Sequence, residues 1–359
     1  MRRVVKYTLL AFNLIAVICL GLGVLCTKIS PEQNSLLPYF GLLFPFFIAI
    51  NLLFLIFWAA FRKWFFVVSL FVLLLSLPYI KSIFPLSVVN LKVSEKNKTL
   101  SVLSYNVAMF GEGRCFNEIF SFIEEKNPDI VCLQEFGFYK KSRLDRNLVF
   151  QKFKKLYPYQ HVWYKNQFKS KEYGVVTFSK YPIIKKQKIL YDSKYNISVF
   201  SDIVVDNDTI RVFNNHLESV KFSVKEKSDV NDLHSEEILT QETLILTESL
   251  LRKLESAFKI RAKQADKVAY EIKQSPYKTI VCGDFNDMPI SYTYHKIKDC
   301  QNDLYVSTSC GFDYTYHDMA MFLRIDHIFV SSEFVPMDCE IFHIDYSDHD
   351  PIFGRILLK

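Results

Sequence analysis

Near the C-terminus, Ser347-Asp348-His349-Asp350-Pro351 places four polar residues and a proline between two largely apolar runs, 341–344 and 352–358. A histidine flanked by aspartates titrates near neutral pH, and an adjacent carboxylate can hold a hard divalent cation. One short loop thus carries the groups for general-base and metal chemistry. Ser, Asp and Pro also form turns, and taken alone the segment reads as a strand-connecting turn. The same polar types recur, however, at the ends of other apolar runs. Residues 100–105 end in Asn106, 130–133 in Gln134-Glu135, 211–213 in Asn214-Asn215-His216, and 279–282 in Gly283-Asp284-Phe285-Asn286. Arg324-Ile325-Asp326-His327 opens a further run that ends at Val330. Asn, Glu, His and Asp are the side chains that act on metal-bound phosphate.

The elements that must position these groups follow from the spacing. Short β-branched runs bounded by breakers read as buried strands. Between them lie amphipathic helical patterns, one over 116–126 closed by Asn127-Pro128. A longer one spans 233–274, closed by Ser275-Pro276, with a kink expected near Ala257. Residues 173–183 read as strand, turn and strand, whereas 218–232 is charged, without period, and reads as a surface loop near the site. Strands and helices thus share one globular domain, placed at residues 99–359 and large enough for one extensive core.

The ordered series Ser104-Tyr105-Asn106, Gln134-Glu135, Asn214-Asn215-His216-Leu217, Gly283-Asp284-Phe285-Asn286, Arg324-Ile325-Asp326-His327 and Ser347-Asp348-His349 resembles the endonuclease/exonuclease/phosphatase superfamily, the DNase-like metallophosphoesterases. The resemblance covers about residues 100–357. It implies a four-layer α/β sandwich of two mixed β-sheets flanked by helices, with the active site where strand ends of both sheets meet. It also implies that Glu135 is the principal ligand of Mg²⁺ or Mn²⁺, with Asn106 beside it and Asp348 nearby. His349 would be the general base or the phosphate-facing imidazole, oriented by Asp326. Asp284 and Asn286 would position water and a phosphoryl oxygen, His216 would donate to the phosphate, and Tyr173 would add a contact. Ala108 stands where many nucleases of the family carry an Asp two residues after the first Asn, which removes one acid near the metal.

The N-terminal region has a different character. Residues 8–27, 36–61 and 64–80 are uncharged apolar runs, read as three transmembrane helices of an anchor over 1–90, with a lysine-rich linker over 91–98. No small-x-small site follows the first run clearly, so a cleaved signal peptide fits less well. Arg2, Arg3 and Lys6 precede the first run and Arg62-Lys63 separates the second from the third. The positive-inside rule then puts both on the cytoplasmic side and the catalytic domain outside, as in a bacterial inner-membrane protein. Two spans with a re-entrant segment is the alternative, and it reverses the side.

The net charge of +6 belongs to this anchor. Residues 1–90 hold seven Lys or Arg and one Glu, leaving 37 basic against 37 acidic residues in the remainder. A neutral catalytic domain lacks the global field that draws nucleic acid, although Lys165, Lys169 and Lys171 near Tyr164 and Phe168 form a local basic run. No metal-type CxxC pair occurs; Cys300 and Cys310 are the pair that an oxidising compartment would join first. The expected activity is metal-dependent hydrolysis of a phosphate ester, on a phospholipid headgroup, a sugar phosphate or a nucleotide. A surface nuclease is the enzymatic alternative. A catalytically silent tethered module is the alternative of another class, disfavoured because Glu135, Asp284, Asn286, Asp326 and His349 are all present.

Overall fold

The computed structural model describes residues 3–87, 98–139, 144–165, 170–193, 195–221, 241–318 and 322–358, with side chains of the helix that begins at 241 described from 246. Most of the expected linker, most of the 218–232 loop and the Phe168-Lys169 part of the basic run lie outside these residues, as does the start of the helix expected from 233.

Two six-stranded sheets are built from short strands, and the central ones, β1, β2, β7 and β8, carry the polar motifs at or near their ends. The first, in the order β11-β12-β1-β2-β4-β3, contains β1 (Thr99–Asn106), β2 (Ile130–Tyr139), β3 (Tyr159–Tyr164), β4 (Lys171–Ser179), β11 (Val335–Ile341) and β12 (Ile352–Leu357). The second, β5-β6-β7-β8-β10-β9, contains β5 (Ile183–Ile189), β6 (Ile197–Val205), β7 (Asp208–His216), β8 (Lys278–Asp284), β9 (Asn302–Asp303) and β10 (Asp326–Val330). Each sheet has one parallel pair at its centre, β1 with β2 and β7 with β8, and is otherwise antiparallel.

Parallel pairing decides where the chemistry goes, because parallel neighbours finish at the same edge. Asn106 pairs with Gln134, and His216 with Asp284. The antiparallel partners deliver their starts to that edge: Asp326 opposes Asp284, and Ile352, just after the Ser347–Pro351 loop, opposes Ser104.

The sheets face each other across an apolar layer that includes Leu100, Val102, Ile130 and Cys132 on one side and Val212, Ile280, Cys282 and Ile328 on the other. These positions are 0–1% exposed. An aromatic-rich layer seats the helices at 116–126 and 146–156 on the outer face of the first sheet. The helix Gln241–Lys273 packs on the second through Ala265 and Val268. This is the expected four-layer sandwich. The long helix runs through Ala257 as a single 33-residue element; the expected kink is absent because the sequence there, Ser256-Ala257-Phe258, holds no proline or glycine to interrupt it.

The N-terminal region forms α1 (Arg3–Leu25), α2 (Leu37–Leu42), α3 (Phe44–Ala60), α4 (Phe66–Leu75) and α5 (Leu77–Ile83). The apolar run 36–61 is therefore two helices, broken at Leu43, where Pro45 at the start of α3 lacks the N–H that would continue α2. Pro78 likewise accompanies a 65° bend between α4 and α5. Among the described residues, by length and composition α1 alone can cross a bilayer, or two elements can if the bent pair is one span; α3 has 17 residues.

The packing of these helices is inverted relative to the two-sheet part of the chain. Asn13, Asn51 and Ser69 are fully buried, with Asn13 Nδ2 donating to Ser69 Oγ at 2.7 Å and Trp58 Nε1 to Asn13 Oδ1 at 3.0 Å. Phe46, Leu53, Ile56 and Phe71 are each more than 60% exposed. All eight cysteines are free, Cys300 and Cys310 included.

Candidate active site

The site is assembled around Asp284, the last residue of β8. Its carboxylate accepts from Asn106 Nδ2 at 3.0 Å, from the Asn286 backbone N at 2.8 Å and from Asn286 Nδ2 at 3.0 Å. Asn286 can fold back on Asp284 because its own φ is 53°, a left-handed turn conformation that Asn tolerates. Gly283 makes the approach of β8 to β7 feasible: with φ 135°, a Cβ there would lie 2.0 Å from the Asn215 carbonyl oxygen.

Two imidazoles flank this carboxylate. His349 Nε2 and His216 Nε2 each lie 3.7 Å from Asp284 Oδ2. On its far side His349 Nδ1 is 2.9 Å from Asp326 Oδ2, the expected orienting contact, and Asp326 itself is 1% exposed. Burial alone would depress the His349 imidazole. The surrounding carboxylates, Asp326 first, then Asp284 and Asp348, together with the hydrogen bond that His349 Nδ1–H donates to Asp326, hold it well above its ordinary value. Burial pushes the Asp284 carboxyl up to about 6 against the opposing pull of His349. His216 goes the other way, since burial lowers it more than Asp284 raises it. Its Nε2 is a buried nitrogen without a hydrogen-bond partner, 3.7 Å from both Asp284 and Glu135.

Glu135 is turned toward this cluster by an irregularity in β2. The register with β4 shifts between Leu133 and Phe136, and Glu135 adopts φ 49°. A non-glycine residue in that region stores strain of about 1–3 kcal/mol, a cost retained where an arrangement of side chains demands it. The bulge splits the Gln134-Glu135 pair. Gln134 Nε2 points between the sheets and donates to Asn214 Oδ1 at 2.8 Å, while Glu135 Oε1 accepts from the Tyr173 hydroxyl at 3.3 Å. The same hydroxyl lies 3.4 Å from His216 Nδ1.

The donor set suits a hard cation. Burial and then the neighbouring Asp348 carboxylate raise the Glu135 carboxyl, with His349 and Lys171 opposing. Glu135 and Asp348 are both partly exposed, and two neighbouring carboxylates at a site that solvent can reach are what a divalent ion with oxygen ligands neutralises. Asn106 Oδ1 takes a bond from the Ala108 backbone N at 3.1 Å and keeps a second lone pair. Asp284, Asp326 and His349 also present ligand-type atoms within 4.8 Å of one another. Asp326 Oδ2 and His349 Nδ1 are engaged with each other, while Asp326 Oδ1 is buried without a hydrogen-bond partner.

All nine expected residues thus converge at one edge, while other motif members carry structural tasks. Asn214 Nδ2 reaches the Val176 carbonyl at 2.8 Å and ties the sheets together. Arg324 pairs with Asp303 at 3.0 Å and donates to the Ser82 carbonyl of α5 at 2.9 Å. His327 is fully buried between Arg324 and the Asp287 carbonyl. Asp350 accepts from His343 and the Ile344 N, as a loop-fixing residue. Two contributors carry no sequence signal. Thr315 Oγ1 accepts from the backbone N of Ile325 and Asp326, fixing the start of β10. Tyr316 sets its ring 5.0 Å from that of His349, tilted by 59°, beside an isolated bridge between the two residues.

Two mixed sheets with carboxylates and imidazoles gathered at one shared edge define a hydrolase of the two-sheet α/β class. Residues 103–349 match the Endonuclease/Exonuclease/phosphatase family, and the chain belongs to that family of divalent-metal-dependent enzymes that hydrolyse phosphate esters. Residues 6–83 match a second family, described only as a domain of unknown function. No curated protein matches the chain. Similar solved structures include humanized D. rerio TDP2 carrying 14 mutations, 16% identical, with TM-score 0.47, covering 72% of this chain and 98% of that one. An endonuclease/exonuclease/phosphatase family protein from Bacteroides thetaiotaomicron is 18% identical, with TM-score 0.47 and coverage of 74% and 97%.

Proposed function

We propose that the chain is a membrane-anchored phosphoesterase in which residues 1–90 form the anchor, 91–98 a linker and 99–359 the catalytic domain, facing outward from a bacterial inner membrane. The observation that carries the catalytic part is the position of Asp284, fixed by Asn106 and Asn286 between two imidazoles and beside Glu135. Glu135, Asp348 and Asn106 would hold Mg²⁺ or Mn²⁺, which when bound offsets charge building on the phosphoryl oxygens. Asp284 and Asn286 orient the attacking water, and the raised carboxyl of Asp284 takes its proton. His349, kept cationic by Asp326, presents Nε2–H to a nonbridging oxygen, and the unpartnered Nε2 of His216 does the same from the other side. Tyr173 steadies both Glu135 and His216.

The anchor reading is supported by the inverted packing, since apolar side chains outside and amides inside suit a lipid surround. The cations also gather at one end: Lys6 Nζ lies 4.9 Å over the Phe65 ring, next to the Arg62-Lys63 turn. The opposite ends touch the catalytic domain, through Glu32 with Lys263 at 2.9 Å and Ser82 with Arg324 at 2.9 Å. Hydrolysis of bis-p-nitrophenyl phosphate by the full chain with Mg²⁺ tests the reading. His349→Ala should lower the rate about 10²- to 10³-fold, as for loss of one transition-state donor, and an unchanged rate would refute it.

A further inference from the structure

The catalytic groups open into a cavity of 310 Å³ whose walls do not all come from the catalytic domain. Glu135, Asp284, Asp348 and His349 share it with Pro31, Pro38 and Leu42 of the N-terminal region, and with Leu254, Phe258 and Ile290 facing them. The N-terminal wall is built in. Gly41 is packed so closely that a Cβ would meet the Ile290 carbonyl oxygen at 2.4 Å. Tyr39 donates to the Leu251 carbonyl at 2.9 Å and sets its ring edge-on to Phe258 at 5.6 Å. Pro38 and Leu42, four residues apart on α2, lie on one helical face. From the same segment Leu36 and Leu43 are 67% and 45% exposed, adjoining Phe46 at 65% in the outer apolar belt.

From this placement we propose that the substrate is an amphiphilic phosphate ester taken from the bilayer, its apolar chain lying against Pro31, Pro38, Leu42 and Phe258 while its phosphate meets Asp284 and His349. The inference rests on the phosphoesterase reading above and names the substrate class for that site. A soluble sugar phosphate or nucleotide would leave these apolar walls in contact with water or polar groups, at a cost proportional to the area left unburied. A nucleic acid would need cations for its backbone. Among the described residues that line the cavity, Lys221 is paired with the Glu218 carboxylate and Arg261 with Asp287 at 3.3 Å. The chain of α2 residues from cavity wall to outer belt supplies the route by which a lipid tail enters without crossing water.

The test uses the full chain in nanodiscs with Mg²⁺ and a series of alkyl p-nitrophenyl phosphodiesters, methyl, butyl, octyl and dodecyl, below their micellar concentrations, beside bis-p-nitrophenyl phosphate. Burial of each methylene is worth about 0.8 kcal/mol at most, so kcat/KM should rise about tenfold or more from butyl to octyl. Leu42→Ala and Leu42→Asp should flatten that rise, cutting the octyl-to-butyl ratio by about fivefold or more. A ratio near one in the parent protein, or a rise that neither variant moves, overturns the lipid assignment while bis-p-nitrophenyl phosphate hydrolysis lost in His349→Ala preserves the phosphoesterase reading. Faster cleavage of a DNA oligonucleotide than of every alkyl ester also overturns it. Failure to cleave any ester overturns the underlying reading instead.

Discussion

Replacing Asp326 by Asn removes one charge and leaves the shape, which makes it the sharpest probe of the His349 environment. Asp326 is 1% exposed, its Oδ2 lies 2.9 Å from His349 Nδ1, and its backbone N is satisfied by Thr315 Oγ1 in either form. A hydrogen bond to a charged group is worth about 1.5–3 kcal/mol, and 1.36 kcal/mol corresponds to tenfold in rate. Asp326→Asn should therefore lower kcat/KM about 10- to 150-fold. The pH profile adds a sign. His349 is raised above its unfolded value, so its contribution to stability is fully present below about pH 6.5 and is lost as pH rises through the folded value. Without Asp326 the alkaline limb of kcat/KM should move to lower pH. Destabilisation of the variant should be largest at or below pH 6.5 and shrink above it. Steady-state kinetics and thermal melts from pH 5 to 9, with an Asp326→Asn/His349→Ala double-mutant cycle, read these effects. Additive losses in the cycle, or an alkaline limb that stays in place, would show that Asp326 does not act through His349.

Glu135→Gln should abolish Mg²⁺-dependent turnover and weaken Mg²⁺ binding by calorimetry, with the melting temperature little changed; retained binding places the cation elsewhere. His216→Ala should reduce kcat about 10²- to 10³-fold with a smaller effect on KM, as expected for one donor to the transition-state phosphate. Asn214→Ala removes the shortest of three acceptors of Gln134 Nε2 and a donor to the Val176 carbonyl, so a loss of about 1–3 kcal/mol is expected in urea unfolding. Burial lowers His161 to about 4 and His327 to about 3, below their unfolded value. These histidines contribute stability that is present above about pH 6.5 and lost as pH falls toward 4. His161→Gln should flatten that part of the acid-unfolding curve.

Much of the catalytic fold is legible in the chain because buried strands and amphipathic helices have fixed periods, and because polar residues ending an apolar strand have few reasons to be there. Asn106, Glu135, His216, Asp284, Asn286, Asp326 and His349 stand out on that ground. Motif neighbours are not equally legible. Gln134 beside Glu135, and His327 beside Asp326, are alike in type, yet a bulge and strand alternation send one to the site and the other into support. Thr315 and Tyr316 act through a loop whose path no local pattern encodes. The breaks at Leu43 and Ser76 turned two apolar runs into shorter helices, since local proline chemistry overrode length and composition.

By itself, then, the sequence determined the ordered strand ends, the chemical types they carry, the apolar N-terminal runs and the placing of net charge in the N-terminal region. These depend on residues within a few positions of one another. Only the tertiary structure decided that Asn106 reaches Asp284 across 178 positions, that His349 stands between Asp284 and Asp326, and that α2 supplies part of the cavity wall. Those contacts follow from two parallel strand pairs finishing at one edge and from an N-terminal region docked against it, arrangements fixed by burial between distant segments and not by any local pattern.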